Sequence, residues 1–244
     1  MRTDLRLVLI LCCCLVPFTV QAQSSIPIIT TDELKKIYDE KADFMLINAL
    51  SPIENAEEHI TGSVNIPFGF LKSGKAKLPE NKGKKLVFYC KGPKCTKSGK
   101  TAGLAVKMGY TNVFVYNEGL PEWIKRGYPA DLKTVYPKIE VPVISPEALK
   151  QMIDKKENIF ILDIRDEEDM VAGSLKGAHV IDLVVLDANL SQVPKGKKIV
   201  IMDIHGKQSN IAGRFLASKG YTDVVRLDGG FVSGWIKAGY PVEK

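Results

Sequence analysis

The chain has 244 residues, 45% of them hydrophobic and 25% charged, a balance that supplies apolar material for packed cores and excludes a disordered, collagen-like or polytopic membrane protein. Net charge is +6, from 34 basic and 28 acidic side chains, too mild to call for a nucleic-acid partner by itself. The length admits one large domain or two small ones.

Residues 1–22 have the pattern of a cleavable secretory signal: Arg2 and Arg6, an apolar run from Leu7 to Phe18, and Val20-Gln21-Ala22 as a small-residue cleavage site. The run is shorter than the roughly 20 residues a bilayer span needs, so no stable membrane anchor is expected and the protein is expected in the periplasm. Lipid attachment at Cys12, Cys13 or Cys14, or secretion, are the alternatives; bulky Leu9-Ile10-Leu11 stand where a lipidation site wants small residues. Cleavage after Ala22 leaves Cys90 and Cys95, which is no disulfide framework but one bridge or a site.

Along the remaining chain, Thr31 to Tyr38 reads as a helix opened by a Thr/Asp cap, with Leu34 and Ile37 on one face. Phe44 to Asn48 and Leu86 to Tyr89 are apolar runs of strand length, and Asn112 to Tyr116 is a third. Between the last two, Ser98 to Met108 has helical spacing, with Ser98 placed to cap it. The series then repeats. Ile29-Thr30-Thr31-Asp32-Glu33-Leu34 returns as Ile144-Ser145-Pro146-Glu147-Ala148-Leu149, Gly83-Lys84-Lys85-Leu86-Val87 as Gly196-Lys197-Lys198-Ile199-Val200, and Trp123 to Pro129 as Trp235 to Pro241. Two copies of one α/β domain are therefore expected at 26–132 and 141–244, joined by a linker at 133–140 that contains Pro137. Buried strands separated by helices imply a mostly parallel sheet flanked by helices in each.

Sheets of this kind place their sites past the carboxyl ends of strands, against helix N-termini. Cys90 stands there, followed by Lys91-Gly92-Pro93-Lys94-Cys95-Thr96-Lys97. Backbone N–H groups and the positive end of a helix favour a thiolate, the nucleophilic form. From Asn81 through Asn117 there are eight lysines and no Asp or Glu, so the field around Cys90 is expected to be one-signed and to draw in anions. Lys82, Lys100 and Lys107 are expected only to solvate a helix face.

Both halves resemble rhodanese domains. The resemblance rests on an early strand ending in Asn48 or Asp163, a His-Ile-x-Gly-Ser-x-x-Ile-Pro segment at His59 to Pro67, the strand-Cys-loop-helix unit, and a closing glycine turn with Trp and Gly-Tyr-Pro. It implies a sulfurtransferase. Cys90 would take sulfane sulfur from a small anionic donor such as thiosulfate, become a persulfide, and pass the sulfur to a thiol, a protein thiol or a cyanide-like acceptor. Lys91, Gly92, Lys94, Thr96, Lys97 and Ser98 would bind the substrate. No cofactor or metal is called for.

Departures from that pattern are informative. Asp203 aligns with Cys90, so the second copy is expected to be catalytically silent and to shape access to the first. The Asp-x-Arg of the family survives as Asp163-Ile164-Arg165 but reads Asn48-Ala49-Leu50 in the first copy, and the loop from Cys90 to Ser98 is longer than that from Asp203 to Ser209. Cys95 has three readings: a structural bridge to Cys90, a redox partner of Cys90, or an independent thiol. A metal site is disfavoured, because Cys-x4-Cys is an unusual ligand spacing. A phosphatase is disfavoured because no arginine lies between Cys90 and Arg126 to grip phosphate with a planar fork. His59 is expected to tie a turn together, Trp123 and Trp235 to anchor cores, and His179 and His205 to do no chemistry. A non-catalytic redox-sensing or binding module, and the same carrier chemistry on selenium or tellurium species, are the alternative functions.

Overall fold

The structure, a computed structural model, describes residues 25–243. The signal reading of 1–22, with Cys12, Cys13 and Cys14, lies outside the described residues.

The first half runs β1 (Ile28–Ile29), α1 (Thr31–Asp39), β2 (Phe44–Asn48), α2 (Pro52–Glu57), β3 (Glu58–Ile60), β4 (Val64–Asn65), α3 (Phe68–Lys72), β5 (Lys85–Tyr89), α4 (Lys97–Lys107), β6 (Val113–Tyr116), α5 (Gly119–Lys125) and β7 (Ala130–Leu132). Its five-stranded sheet has the order β1-β6-β5-β2-β4, parallel throughout, and β3 pairs antiparallel with β7 in a separate ribbon. The second half runs β8 (Val143–Ile144), α6 (Pro146–Asp154), β9 (Ile159–Asp163), β10 (His179–Val180), β11 (Lys198–Met202), α7 (Ser209–Ser218) and β12 (Val224–Leu227), then a helical turn at Gly230–Ile236. Its sheet order, β8-β12-β11-β9-β10, is again parallel and matches the first strand for strand. The chain is thus two α/β domains of one topology.

Local chemistry sets the elements. Thr30 caps α1 in a capping box with Glu33, and Ser51 caps α2 in a second one with Glu54, each pair satisfying two N–H groups that the helix start leaves unpaired. The central strands β2, β5, β9 and β11 are buried apolar runs, as a sheet covered on both faces requires. Each sheet accordingly has two apolar clusters, one per face, with Trp123 and Trp235 buried in one cluster of each domain. The indole N–H of Trp123 donates to the Pro129 carbonyl at 2.9 Å, and that of Trp235 to Pro241 at 2.8 Å, closing the Gly-Tyr-Pro turns. His59 bridges the Asn55 carbonyl (2.9 Å) and Asp131 (3.0 Å), holding the end of α2 to β7.

The domains pack directly on one another. Ile53, from α2 of the first domain, is 3% exposed and belongs to an apolar cluster of the second, as does Tyr136 from the connecting segment. Arg214 of α7 grips Glu57 through two bonds of 2.8 and 2.7 Å. These contacts bring the loop after β5 opposite the loop after β11.

Candidate active site

Residues Asn48 and Tyr89 are register partners at the carboxyl ends of β2 and β5, so the chain leaves the sheet there and Cys90 is the first residue beyond it. Tyr89 is fully buried, and its hydroxyl is fixed by the Ile60 N–H (2.9 Å) and the Ser63 hydroxyl (2.7 Å). This is the structural use of the His59–Pro67 segment: it pins the residue before the thiol. From the other side, the Leu120 N–H donates to the Cys90 carbonyl at 2.9 Å. Gly119, at φ +73°, makes that approach feasible; a Cβ there would lie 2.4 Å from the Gly92 nitrogen and 2.5 Å from the Cys90 carbonyl oxygen.

The Cys90 side chain is 1% exposed, with Sγ 3.2 Å from the Ser98 hydroxyl and 3.3 Å from the Cys95 carbonyl oxygen, to which the protonated thiol donates. Its pKa is lowered to about 6. The Cys95 thiol donating to it is the largest cause; burial opposes, and the Ser98 hydroxyl with the N–H groups of Ser98 and Gly92 adds to the lowering. Cys95 is raised in turn, because its proton is held by Cys90, it is buried, and the Cys90 charge repels a second one. The loop therefore favours the charge on Cys90 and the proton on Cys95. The two cysteines are not joined.

Ser98 does not cap α4, which differs from the sequence expectation. Helix α4 begins at Lys97 with Thr96 as its N-cap, whose side chain makes no capping bond. Ser98 falls inside the first turn, buried, and its hydroxyl is turned to Cys90. The helix thus starts two residues earlier than a Ser98 cap would place it, which leaves the serine hydroxyl for the thiol.

The one-signed field is also corrected. The lysines near Cys90 meet acids that the sequence places far away. Lys91 pairs with Glu58, and Lys97 lies 3.6 Å from Glu54, which is 3% exposed. Lys100, expected to solvate a helix face, instead crosses to the second domain, bonding Asp169 at 2.8 Å and Asp166 at 3.4 Å. Burial pulls Lys97 down, but Glu54, Cys95, Asp182 and Asp166 hold it above the ordinary lysine value. Glu54 is pushed up by burial, yet Lys97 and the Ser51 capping bonds leave it below the usual carboxylate range. Lys91 is lowered by burial, against the pull of Glu54, Glu57 and Cys95. Lys94 is exposed and has no carboxylate within ion-pair distance among the described residues.

A cavity of about 670 Å³ separates the two loops. Lys91, Lys94, Cys95, Thr96 and Lys97 line it from the first domain, and Asp203, His205, Lys207 and Gln208 from the second. His205, for which no chemistry was expected, thus faces the site, held by a 2.8 Å contact between its Nδ1 and the Ser233 hydroxyl. Sequence reasoning missed Glu54, Glu57 and Glu58. The Ser51-x-x-Glu54 capping pattern was the available signal for the first, whereas Glu58 reaches Lys91 through the folding of the first domain and Glu57 meets Arg214 across the domain contact.

The second loop has the same frame. The Phe231 N–H donates to the Asp203 carbonyl at 2.7 Å, and Gly230, at φ +61°, lies where a Cβ would be 2.5 Å from that oxygen. Here the Asp203 carboxylate accepts from the N–H groups of Gly206, Gln208 and, at 3.2 Å, Ser209. The loop amides are filled by the chain's own anion.

The family model described as "Rhodanese-like domain" matches residues 30–126 and again 145–238. A "Sulfurtransferase" of Allochromatium vinosum is 28% identical over 99 residues, covering 41% of this chain and 92% of that protein. A "Thiosulfate sulfurtransferase GlpE" of Shewanella oneidensis is 34% identical over 95 residues, covering 39% of this chain and 92% of that protein. Among solved structures, a thiosulfate sulfurtransferase from Pseudomonas aeruginosa covers 89% of this chain and 43% of its own, at 19% identity and a TM-score of 0.41.

Proposed function

Since the chain belongs, in both halves, to the rhodanese-like domain family, we propose that it is a sulfurtransferase whose sulfur carrier is Cys90. The observation that carries this reading is the depressed, buried thiol of Cys90 held by Ser98 and loop N–H groups at the end of β5. The Cys90 thiolate attacks the outer sulfur of a thiosulfate-like anion; the donor's S–S bond breaks, sulfite leaves with the electron pair, and Cys90 holds a persulfide. A thiolate or cyanide then attacks the terminal sulfur and Cys90 leaves as the thiolate. The amides that lower the pKa of Cys90 also hold the negative persulfide, so little reorganisation is needed between the two states. Lys94 and Lys97 supply positive charge at the mouth, with Lys91 shared with Glu58. The second domain is catalytically silent and forms the far wall of the cavity. An exported, periplasmic location follows from the signal character of residues 1–22.

Exposure of the purified protein to thiosulfate, followed by intact mass measurement, tests the proposal. The protein gains one sulfur atom, and Cys90→Ser gains none. Sulfur on the Cys90→Ser protein overturns it. A second reading, a redox-sensing pair, is favoured by Cys95 packing against the apolar cluster that holds Cys90. A Cys90–Cys95 bridge that periplasmic reductants cannot open, found by counting thiols in protein taken from its native compartment, decides for that reading.

A further inference from the structure

The two cysteines differ in what they can reach. Cys90 is 1% exposed and enclosed by Leu50, Tyr89, Leu120 and the Cys95 side chain in one apolar cluster. Cys95 lies between it and the interdomain cavity, which it lines together with Lys94 and Lys97. A donor with a narrow terminal sulfur can slip past the loop to Cys90, but a bulky thiol acceptor in the cavity meets Cys95 first. Resting on the sulfurtransferase reading, we propose that Cys95 is the second carrier in a sulfur relay: Cys90 loads, and Cys95 delivers the sulfur to a thiol acceptor of peptide size seated between the two domains.

The relay step balances without an added oxidant or reductant. The Cys95 sulfur attacks the terminal sulfur of the Cys90 persulfide; a new S–S bond forms at Cys95, the old one breaks, and Cys90 leaves with the electron pair. The Cys95 proton passes to the Cys90 sulfur as it leaves. Sulfane sulfur moves by one position, and the thiol count is unchanged. The acceptor thiolate then attacks the terminal sulfur on Cys95 in the same way. Attack by Cys95 on the inner sulfur would instead expel sulfide and leave a Cys90–Cys95 disulfide, a distinct and measurable outcome.

The cavity's walls fit a peptide thiol carrying both signs of charge, since Lys94 and Lys207 face it beside Asp166 and Glu58. The experiment loads the full mature chain with thiosulfate, traps persulfides by alkylation and locates the added sulfur by peptide mass spectrometry in wild type, Cys90→Ser and Cys95→Ser. Single-turnover transfer to cyanide and to a thiol tripeptide is then followed. Sulfur is expected on both cysteines in wild type and on neither in Cys90→Ser. In Cys95→Ser it stays on Cys90, with transfer to the tripeptide slowed about tenfold or more and transfer to cyanide slowed less. Sulfur on Cys90 alone in wild type, undiminished tripeptide transfer in Cys95→Ser, loading of Cys95 in Cys90→Ser, or sulfide release with disulfide formation each overturns the relay. Failure of Cys90 to load in wild type sinks the sulfurtransferase reading instead. Cys95→Ala serves as a second variant should the serine disturb the fold.

Discussion

The loops after β5 and β11 share one scaffold and differ in the anion they hold. In both, a left-handed glycine lets the backbone close on the loop, and the next residue's N–H ties down the carbonyl of Cys90 or Asp203. In the second loop the anion is the Asp203 carboxylate, saturated by three backbone N–H groups. In the first it is the Cys90 thiolate, which the loop favours over the thiol. The loop architecture is therefore an anion cradle first, and reactivity depends on which side chain supplies the charge. Behind the loops the difference is inverted. Asp163 and Arg165 form a fully buried ion pair under the second, with Arg165 stacked on Phe231 at 3.9 Å. Neutral Asn48 and Leu50 occupy the same positions under the first, where Leu50 packs with Leu120.

The largest effect is expected from importing the first domain's solution halfway into the second. Arg165→Leu leaves Asp163 buried without its partner, which costs about 3–5 kcal/mol. The double variant Asp163→Asn with Arg165→Leu restores a neutral pair and recovers most of the loss. Chemical denaturation of the two proteins measures this. Equal stability of the single and double variants would show that the buried pair is not what distinguishes the two sheets.

Next in size is the paired glycine test. Gly119→Ala forces a Cβ onto the Gly92 nitrogen and the Cys90 carbonyl oxygen, and Gly230→Ala forces one onto the Asp203 carbonyl oxygen at a similar distance. A displacement of this kind near reacting atoms costs about a hundredfold. Persulfide formation from thiosulfate is therefore expected to fall about a hundredfold in Gly119→Ala, and to stay within a few-fold of wild type in Gly230→Ala, although both lose stability. A parallel loss in both variants would mean that the second loop takes part in loading.

How much of this was legible in the sequence follows from range. The repeat, the three central strands of each sheet and the place of Cys90 rest on local pattern: apolar runs and a cysteine at a strand end. The field around Cys90 does not. Eight lysines without an acid in their own segment suggested one sign of charge, but Glu54 and Glu58 come from α2 and β3 and Asp166 and Asp169 from the other domain. Tertiary packing delivers counter-charges that a linear window cannot contain. Ser98 shows the same limit at smaller scale, since shifting a helix start by two residues turns an expected cap into a partner for sulfur.

The two cysteines make a pH test of the first loop that the second cannot undergo. Alkylation of Cys90 is expected to rise with pH through about 6 and level off above, because the thiolate is the nucleophile and is fully formed once pH exceeds its pKa. Cys95→Ala removes the largest cause of the lowering, so the rise is expected to move to higher pH, toward the ordinary thiol value of 9.0. An unmoved midpoint would assign the lowering to Ser98 and the backbone N–H groups alone, and would make the two loops more alike than the geometry indicates.

The smallest expected effect concerns Lys94. Lys91 and Lys97 are both committed to carboxylates, so removing either also strands Glu58 or Glu54, and the outcome mixes two charges. Lys94 is exposed and lines the cavity, so Lys94→Ala removes attraction and little else. An exposed charge interaction is worth about 0–1 kcal/mol and is screened by salt. KM for an anionic donor is therefore expected to rise by no more than about fivefold at low salt, with kcat unchanged and the difference vanishing near 1 M salt, where screening reaches about 3 Å. Steady-state kinetics across ionic strength reads both signs. A fall in kcat would place Lys94 against the reacting atoms, giving the first loop a fixed positive charge at its centre that the second loop, with its amides filled by Asp203, does not need.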